Sequence, residues 1–162
     1  MRPYMMAGLL GLLPFSCQDS PVFSNYRAID KEAWYREDTI VMPVGQPVGE
    51  CHGQGEQQLD MTVCVRYTDA FRYRNLSLLL EWVSEQRVVA RDTLQFSMFN
   101  ERDGVLGNGF GRYARTVRSM VALPLDKPYE VRIAHLMRLN PLCGITDVSF
   151  SLDSVRHPSS EK

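Results

Sequence analysis

Cysteine and histidine carry the most chemistry in this chain, and Cys17 has the most informative setting. It follows an uncharged apolar run, Met5-Met6-Ala7-Gly8-Leu9-Leu10-Gly11-Leu12-Leu13-Pro14-Phe15, which is preceded by Arg2 and closed by the small residue Ser16. This is the layout of an export signal, whose apolar region runs to roughly 7–15 residues. It is too short to span a bilayer, which takes about 20 apolar residues. A small residue and then a cysteine at the end of such a run is what a lipoprotein signal peptidase cuts, because the thiol is the group alkylated by a diacylglyceryl chain. Cys17 is therefore the expected lipidation site, with residues 1–16 as the signal. Pro14 stands where leucine is usual, with Leu13 one place further out. The alternative is an ordinary secretory signal with Cys17 incidental.

The other thiols, Cys51, Cys64 and Cys143, are odd in number, so an oxidising compartment would permit one disulfide and leave one thiol over. Cys51-His52, Cys64 and His135 are zinc-ligating types, but neither C-x2-C nor H-x3-H spacing occurs, and no metal is expected. Nucleophilic catalysis finds no setting either. G-x-S-x-G is absent, His52 falls in a loop, His135 near a strand end and His157 in the tail. Asp69, Asp92 and Asp147 read as turn or strand-edge residues. A hydrolase would need carboxylates that meet only in the fold. Gly104, Gly107, Gly109 and Gly111 suggest a loop whose backbone could cradle a phosphate. G-x-G-x-x-G and the Lys-Ser/Thr of a P-loop are nevertheless missing, and a tight connection between strands accounts for the glycines. No catalytic residue and no cofactor is expected. A net charge of −1 argues against nucleic acid as a partner.

The elements that must position these residues are strands. In Leu59 to Thr68 every odd position is apolar and every even one polar except Cys64, the mark of a half-buried strand. Leu76 to Val83 repeats the pattern, and Leu79 and Val83 on its second face place it centrally. Thr39 to Met42, Val88 to Ala90, Thr93 to Met98, Pro128 to Ile133 and Asp147 to Leu152 read as further strands, with a turn at Ser84 to Arg87. Thr116 to Leu123 is ambiguous, since Ala114, Val117 and Val121 also fit one face of a helix. Seven or eight short strands separated by turn signals predict an all-β fold, an antiparallel β-sandwich, over residues 34–154. Residues 17–33 read as a lipidated N-terminus and polar tether, and 155–162 as a polar tail.

Three segments, with a shorter stretch between the first two, together resemble a known family. Arg66-Tyr67-Thr68-Asp69-Ala70-Phe71-Arg72-Tyr73-Arg74-Asn75-Leu76 resembles the R-H-T-x-x-Y-x-Y-x-N-L segment of the gliding motility lipoprotein family GldH. Asp92-Thr93-Leu94 is similar to that family's strand after the tryptophan strand. Gly104 to Gly111 resembles its G-x-W-L-G-x-G-x-G loop, without the tryptophan. Met137-Arg138-Leu139-Asn140-Pro141-Leu142-Cys143-Gly144-Ile145-Thr146-Asp147-Val148 is close to its M-R-x-x-P-L-x-G-I-x-D-V-G, with Ser149 for the last glycine. The resemblance implies a cell-envelope lipoprotein of Bacteroidota, lipid-anchored through Cys17, with the outer membrane as the expected location. It implies association with gliding motility or the linked secretion machinery, envelope protein partners, and no known enzymatic activity.

The reading is thus a non-enzymatic, accessory or structural envelope component. Leu106 and Leu142, in motif-bearing loops, are candidate partner contacts. Phe71 and Tyr73 are candidate exposed contacts in the connection after the first strong strand. The alternative is a surface glycan-binding lipoprotein, which needs those two rings exposed.

Overall fold

The computed structural model describes residues 23–45, 56–100, 102, 104–107, 111–124 and 127–154. These residues contribute twelve strands: β1 (Phe23–Ala28), β2 (Ala33–Trp34), β3 (Ile40–Val44), β4 (Glu56–Thr68), β5 (Asn75–Ser84), β6 (Arg87–Ser97), β7 (Phe99–Asn100), β8 (Gly104–Val105), β9 (Arg112–Pro124), β10 (Tyr129–His135), β11 (Leu142–Cys143) and β12 (Ile145–Ser154). Eight of them form two four-stranded antiparallel sheets, ordered β1-β12-β4-β9 and β3-β10-β5-β6. The predicted β-sandwich is the observed fold.

Alternation does the work. Leu59, Met61, Val63, Val65 and Tyr67 of β4 and Tyr129, Val131, Ile133 and His135 of β10 are all buried. They face one another across a core, as inner faces of packed sheets do. Trp82 of β5 meets Phe150 of β12 across that core, rings 5.6 Å apart and near perpendicular. Thr146 is the extra residue of a bulge between Ile145 and Asp147. The bulge shifts the phase of β12, so Ile145 on one side of it and Val148, Phe150 and Leu152 on the other all point inward.

Three expectations need correction. Tether was expected to run to about residue 33, but β1 pairs along its length with β12, from Phe23↔Leu152 to Ala28↔Asp147. Only Phe23 and Asn25 of this strand turn partly inward, so backbone bonding holds it and its sequence shows no hydrophobic period. Val88–Ala90 and Thr93–Ser97 belong to one continuous strand, β6, with Met98 just past its end and Val89 the extra residue of a bulge opposite Trp82 and Val83. The ambiguous Thr116–Leu123 is strand, within β9.

The registers sort the connections by end. β1, β4, β6 and β10 run one way, and β3, β5, β9 and β12 the other. The start of β1, the Glu85-Gln86 turn and the β9–β10 connection therefore share one end. The connections 29–39, 69–74, 98–111 and 136–144 share the opposite end.

Candidate functional site

All three motif segments of the sequence converge on that second, distal end. Tyr67, the last large inward residue of β4, anchors the convergence. It is 1% exposed, and its hydroxyl donates to the Leu106 carbonyl with the Met98 carbonyl 3.3 Å away. Burial pushes the Tyr67 phenol above its usual range. Leu106 N–H donates in turn to the Met98 carbonyl at 2.9 Å, and Met98 N–H to the Arg74 carbonyl at 2.8 Å. One phenol thus ties the first strong strand to both sides of the glycine-bearing loop.

Gly144 fixes the third segment. Its φ is +89°, and a Cβ there would lie 2.2 Å from Phe71 N and 2.7 Å from the Ala70 carbonyl carbon. Only glycine lets these backbones touch. Its carbonyl accepts from Thr68 N–H at 2.9 Å and its N–H donates to the Glu32 carbonyl at 2.9 Å. Beside it, the Arg36 guanidinium donates to the carbonyls of Met137 and Arg138, and Asn140 Nδ2 donates to the Glu37 carboxylate at 3.1 and 3.2 Å. Hydrogen bonds from its own amide and from Asn140 hold the Glu37 carboxyl below its usual range. The Asn140-Pro141 peptide is cis. Asp147, 8% exposed, accepts from Arg66 Nε at 2.7 Å, so it is an internal strand residue with a partner rather than an edge residue.

The predicted contact residues fall in different environments. Leu142 is fully buried, paired with Trp34 across β11 and β2, and Phe71 is 7% exposed. Phe71 is wedged between Tyr67, ring centroids 5.8 Å apart, and Tyr73 at 5.3 Å. Both were expected as contact residues, and both are core: they fill the distal end of the sandwich. Tyr73 and Leu106 are half-buried. Cys64 and Cys143 carry free thiols. Cys17, Cys51, His52 and His157 lie outside the described residues, as do Gly109 and its neighbours in the glycine-bearing loop. Among the described residues no three His, Cys, Asp or Glu side chains gather as metal ligands.

What the convergence leaves open is a cleft of about 350 Å³ between the 71–74 connection and the β7–β8 hairpin. Phe99 and Val105, 39% and 42% exposed, form its accessible apolar surface. Arg72 and Arg74 line it, and the Arg74 guanidinium sits 5.7 Å over the Phe99 ring. Its other described lining residues are Tyr67, Phe71, Tyr73 and Met98. The motif resemblance points to this end of the molecule, but Phe99 lies outside every motif segment and Val105 is not a distinctive residue of the one that contains it, so both were missed.

The GldH lipoprotein family model matches residues 21–152. The chain is 26% identical over 148 residues to the gliding motility lipoprotein GldH homolog of Christiangramia forsetii, covering 85% of this chain and 86% of that protein. It is 24% identical over 153 residues to the gliding motility lipoprotein GldH of Flavobacterium johnsoniae, covering 90% and 92%. Among solved structures, latent PorU from Porphyromonas gingivalis aligns with 86% of this chain and 12% of its own, at 11% identity and a TM-score of 0.39. The Eiger TNF structure from S. frugiperda aligns at 12% identity with a TM-score of 0.32, over 88% of this chain and all of that one.

Proposed function

The chain belongs to the GldH lipoprotein family, and from that premise we propose that it is a non-enzymatic envelope component which places a recognition surface at a set height above a membrane. Cys17 carries the acyl chains, and two or more of them make a stable anchor. The outer membrane is the expected location. The partners are envelope proteins of a gliding-motility or associated secretion complex.

The observation that carries this reading is the separation of the two ends. Residues 18–22 join Cys17 to Phe23, and so short a segment reaches at most ~20 Å when extended. The end where β1 starts is therefore held near the bilayer. The motif-bearing end lies beyond it by the length of the long strands, ~30 Å for the stretch from Leu59 to Thr68 at ~3.3 Å per residue. Confinement at a surface raises the effective concentration of that distal end near membrane partners without adding any contact.

The glycan-binding alternative drew its support from exposed rings at Phe71 and Tyr73. Phe71 is buried and meets Tyr73 edge to face at 72°, so the pair offers no flat platform.

Membrane fractionation with metabolic acyl labelling tests the anchor. The wild-type chain is expected in the membrane fraction with label, and Cys17→Ala in the soluble fraction without it. A pull-down from native membranes is expected to recover envelope proteins with wild type and to lose them with Cys17→Ala. Membrane retention and unchanged recovery by Cys17→Ala would defeat the proposal.

A further inference from the structure

We infer that the tip of the β5–β6 hairpin is a second membrane contact, in which Val88 and Val89 enter the headgroup boundary of the bilayer that holds the acyl chains. This deepens the reading of the chain as an anchored component, and it rests on that reading for the bilayer's being within reach.

The first support is reach. Phe23 is level with Leu152 and Met61 across its sheet, whereas β4 continues past Met61 to Glu56, paired with β9 as far as Pro124. At ~3.3 Å per residue, the stretch from Met61 to Glu56 carries that ribbon ~17 Å beyond the start of β1. Residues 18–22 reach at most ~20 Å from Cys17. Setback and reach nearly match, so a domain standing on its tether puts the end of β4 and β9 at the lipid surface. Val89 stands at that level, lining one depression with Ala122 and Leu123 near the end of β9.

The second support is surface chemistry. Val88 and Val89 are 42% and 53% exposed, side by side in the sequence. Neighbours on a strand ordinarily point to opposite faces. Here Val88 pairs with Val83 and Ala90 with Trp82, which leaves Val89 as the extra residue of the bulge, and both valines stay in the open. A bulge on an edge strand also discourages strand pairing, but polar residues would serve that end as well. The valines place an apolar pair beside the exposed polar groups Glu85, Gln86 and Arg87. That combination fits the lipid boundary, where aliphatic groups sit below the headgroups and charged ones among them. Both signs are present at the tip, so zwitterionic lipid suffices.

The third support is position. β1 contacts β3, and β9 contacts β6, so β1 and β6 lie on opposite sides of the sandwich. The acyl anchor holds one side of the tether end and the valines hold the other. A tether alone limits how far the domain can stray. Two separated contacts also set its tilt, and they turn the distal loops away from the bilayer.

Tryptophan quenching tests the inference on the full acylated chain, in vesicles of phosphatidylcholine brominated near the top of the acyl chains. Wild type supplies the background of Trp34 and Trp82, both buried. Val89→Trp is expected to lose about half or more of its added emission, since an interfacial contact reaches ~5–10 Å into the headgroup and acyl boundary. Met120→Trp on the outward face of β9 and Leu139→Trp at the distal end are expected to lose none. Val88→Asp, added to Val89→Trp, is expected to remove most of the quenching while the chain still floats with the vesicles. All of these positions are exposed, so thermal unfolding is expected to stay close to wild type.

Quenching that survives Val88→Asp, or Met120→Trp quenched as strongly as Val89→Trp, would each overturn the assignment. So would a Val89→Trp emission that shifts to the blue without quenching, because protein rather than lipid would then cover the tip. An unquenched Val89→Trp in a chain that floats with the vesicles would remove the hairpin contact alone. Flotation and quenching of Val89→Trp that persist with Cys17→Ala would remove the acyl-anchor reading alone.

Discussion

The two ends of the sandwich solve the same problem, joining antiparallel strands, in unlike ways. At the tether end β5 passes to β6 through Glu85 and Gln86, both at positive φ, and Ser84 pairs with Arg87. That is the minimal two-residue hairpin, whose left-handed residues match the twist of the strands. At the distal end four connections lie against one another. They are tied by Tyr67 to Leu106, by Gly144 to Glu32 and Thr68, and by Arg36 to Met137 and Arg138. Joining strands does not require such cross-bonding. Its effect is to hold several loops in one shape, the preorganisation that the proposed role of this end as a contact surface calls for.

If the distal end is a fitted assembly, a single atom in the wrong place should damage it more than any change at the tether end. Gly144→Ala is expected to have the largest effect. It sets a Cβ against the Phe71 and Ala70 backbones, neither of which can rotate away, at a φ of +89°. A loss of about 3 kcal/mol or more is expected in urea unfolding. Gly104→Ala is its control: φ is +73°, but nothing lies within 4 Å, so only the left-handed backbone term of ~1–2 kcal/mol applies. Similar losses for the two variants would mean that Gly144 is a turn glycine and the distal loops are not packed on it.

Tyr67→Phe comes next. It keeps the ring and removes the proton bonded to the Leu106 carbonyl. The expected loss is ~1–2 kcal/mol, that of a buried hydrogen bond whose acceptor is left short of a donor. Hydrogen exchange should localise it, with faster exchange at Leu106 N–H and Met98 N–H and none at the Ser84–Arg87 turn.

The same contrast explains what the sequence made legible. β4, β5 and β10 could be read because each strand puts one face on a core and the other toward water, so burial is written as alternation. β9 could not: its inward side carries Arg115 and Ser119 among apolar residues, while Met120 on the outward side is 58% exposed. Arg115 is there because β9 is an edge strand, and its guanidinium reaches across to the Ser97 carbonyl of the other sheet at 2.9 Å. Loops have no period, so nothing local to Phe71 or Leu142 says that they turn inward. The need for glycine at 144 is set by the backbone of Phe71, distant in sequence. The motif resemblance located the distal segments one by one, and only the fold showed that they meet.

A smaller effect works in the opposite direction at the tether end. Gln86→Gly relieves the positive φ of 63° where no packed loop depends on the side chain, and Gly is the residue that a type I′ hairpin favours second. A gain of about 0.5–1 kcal/mol is expected, with hydrogen exchange at the distal Leu106 and Met98 N–H groups unchanged relative to global stability. A change there would show the two ends to be coupled through β5 and β6, and the contrast between them would lose its meaning.

The subtlest test lies beneath the distal loops. His135 is 1% exposed, its ring is 5.4 Å from Trp34 in an edge-on arrangement, and neither ring nitrogen has a hydrogen-bond partner. Burial pushes its pKa below the usual histidine range. The Trp34 backbone and, less, the Glu37 carboxylate pull against this, and the charge of Arg36 adds to it. A lowered native pKa means that the unfolded chain binds the proton first. Stability from neutral His135 is therefore intact above the ordinary histidine pKa of about 6.5 and falls as the pH drops below it. His135→Phe keeps an aromatic ring beside Trp34 and has nothing to titrate. Between pH 7.5 and pH 5.5 the wild type should lose more stability than this variant in paired urea titrations, while at pH 7.5 the two should be nearly equal. Equal losses would mean that His135 finds a proton acceptor when charged. The carboxylate whose charge acts on it is Glu37, so the 35–38 turn would then rearrange on acidification, and the distal end would be less fixed than its hydrogen bonds imply.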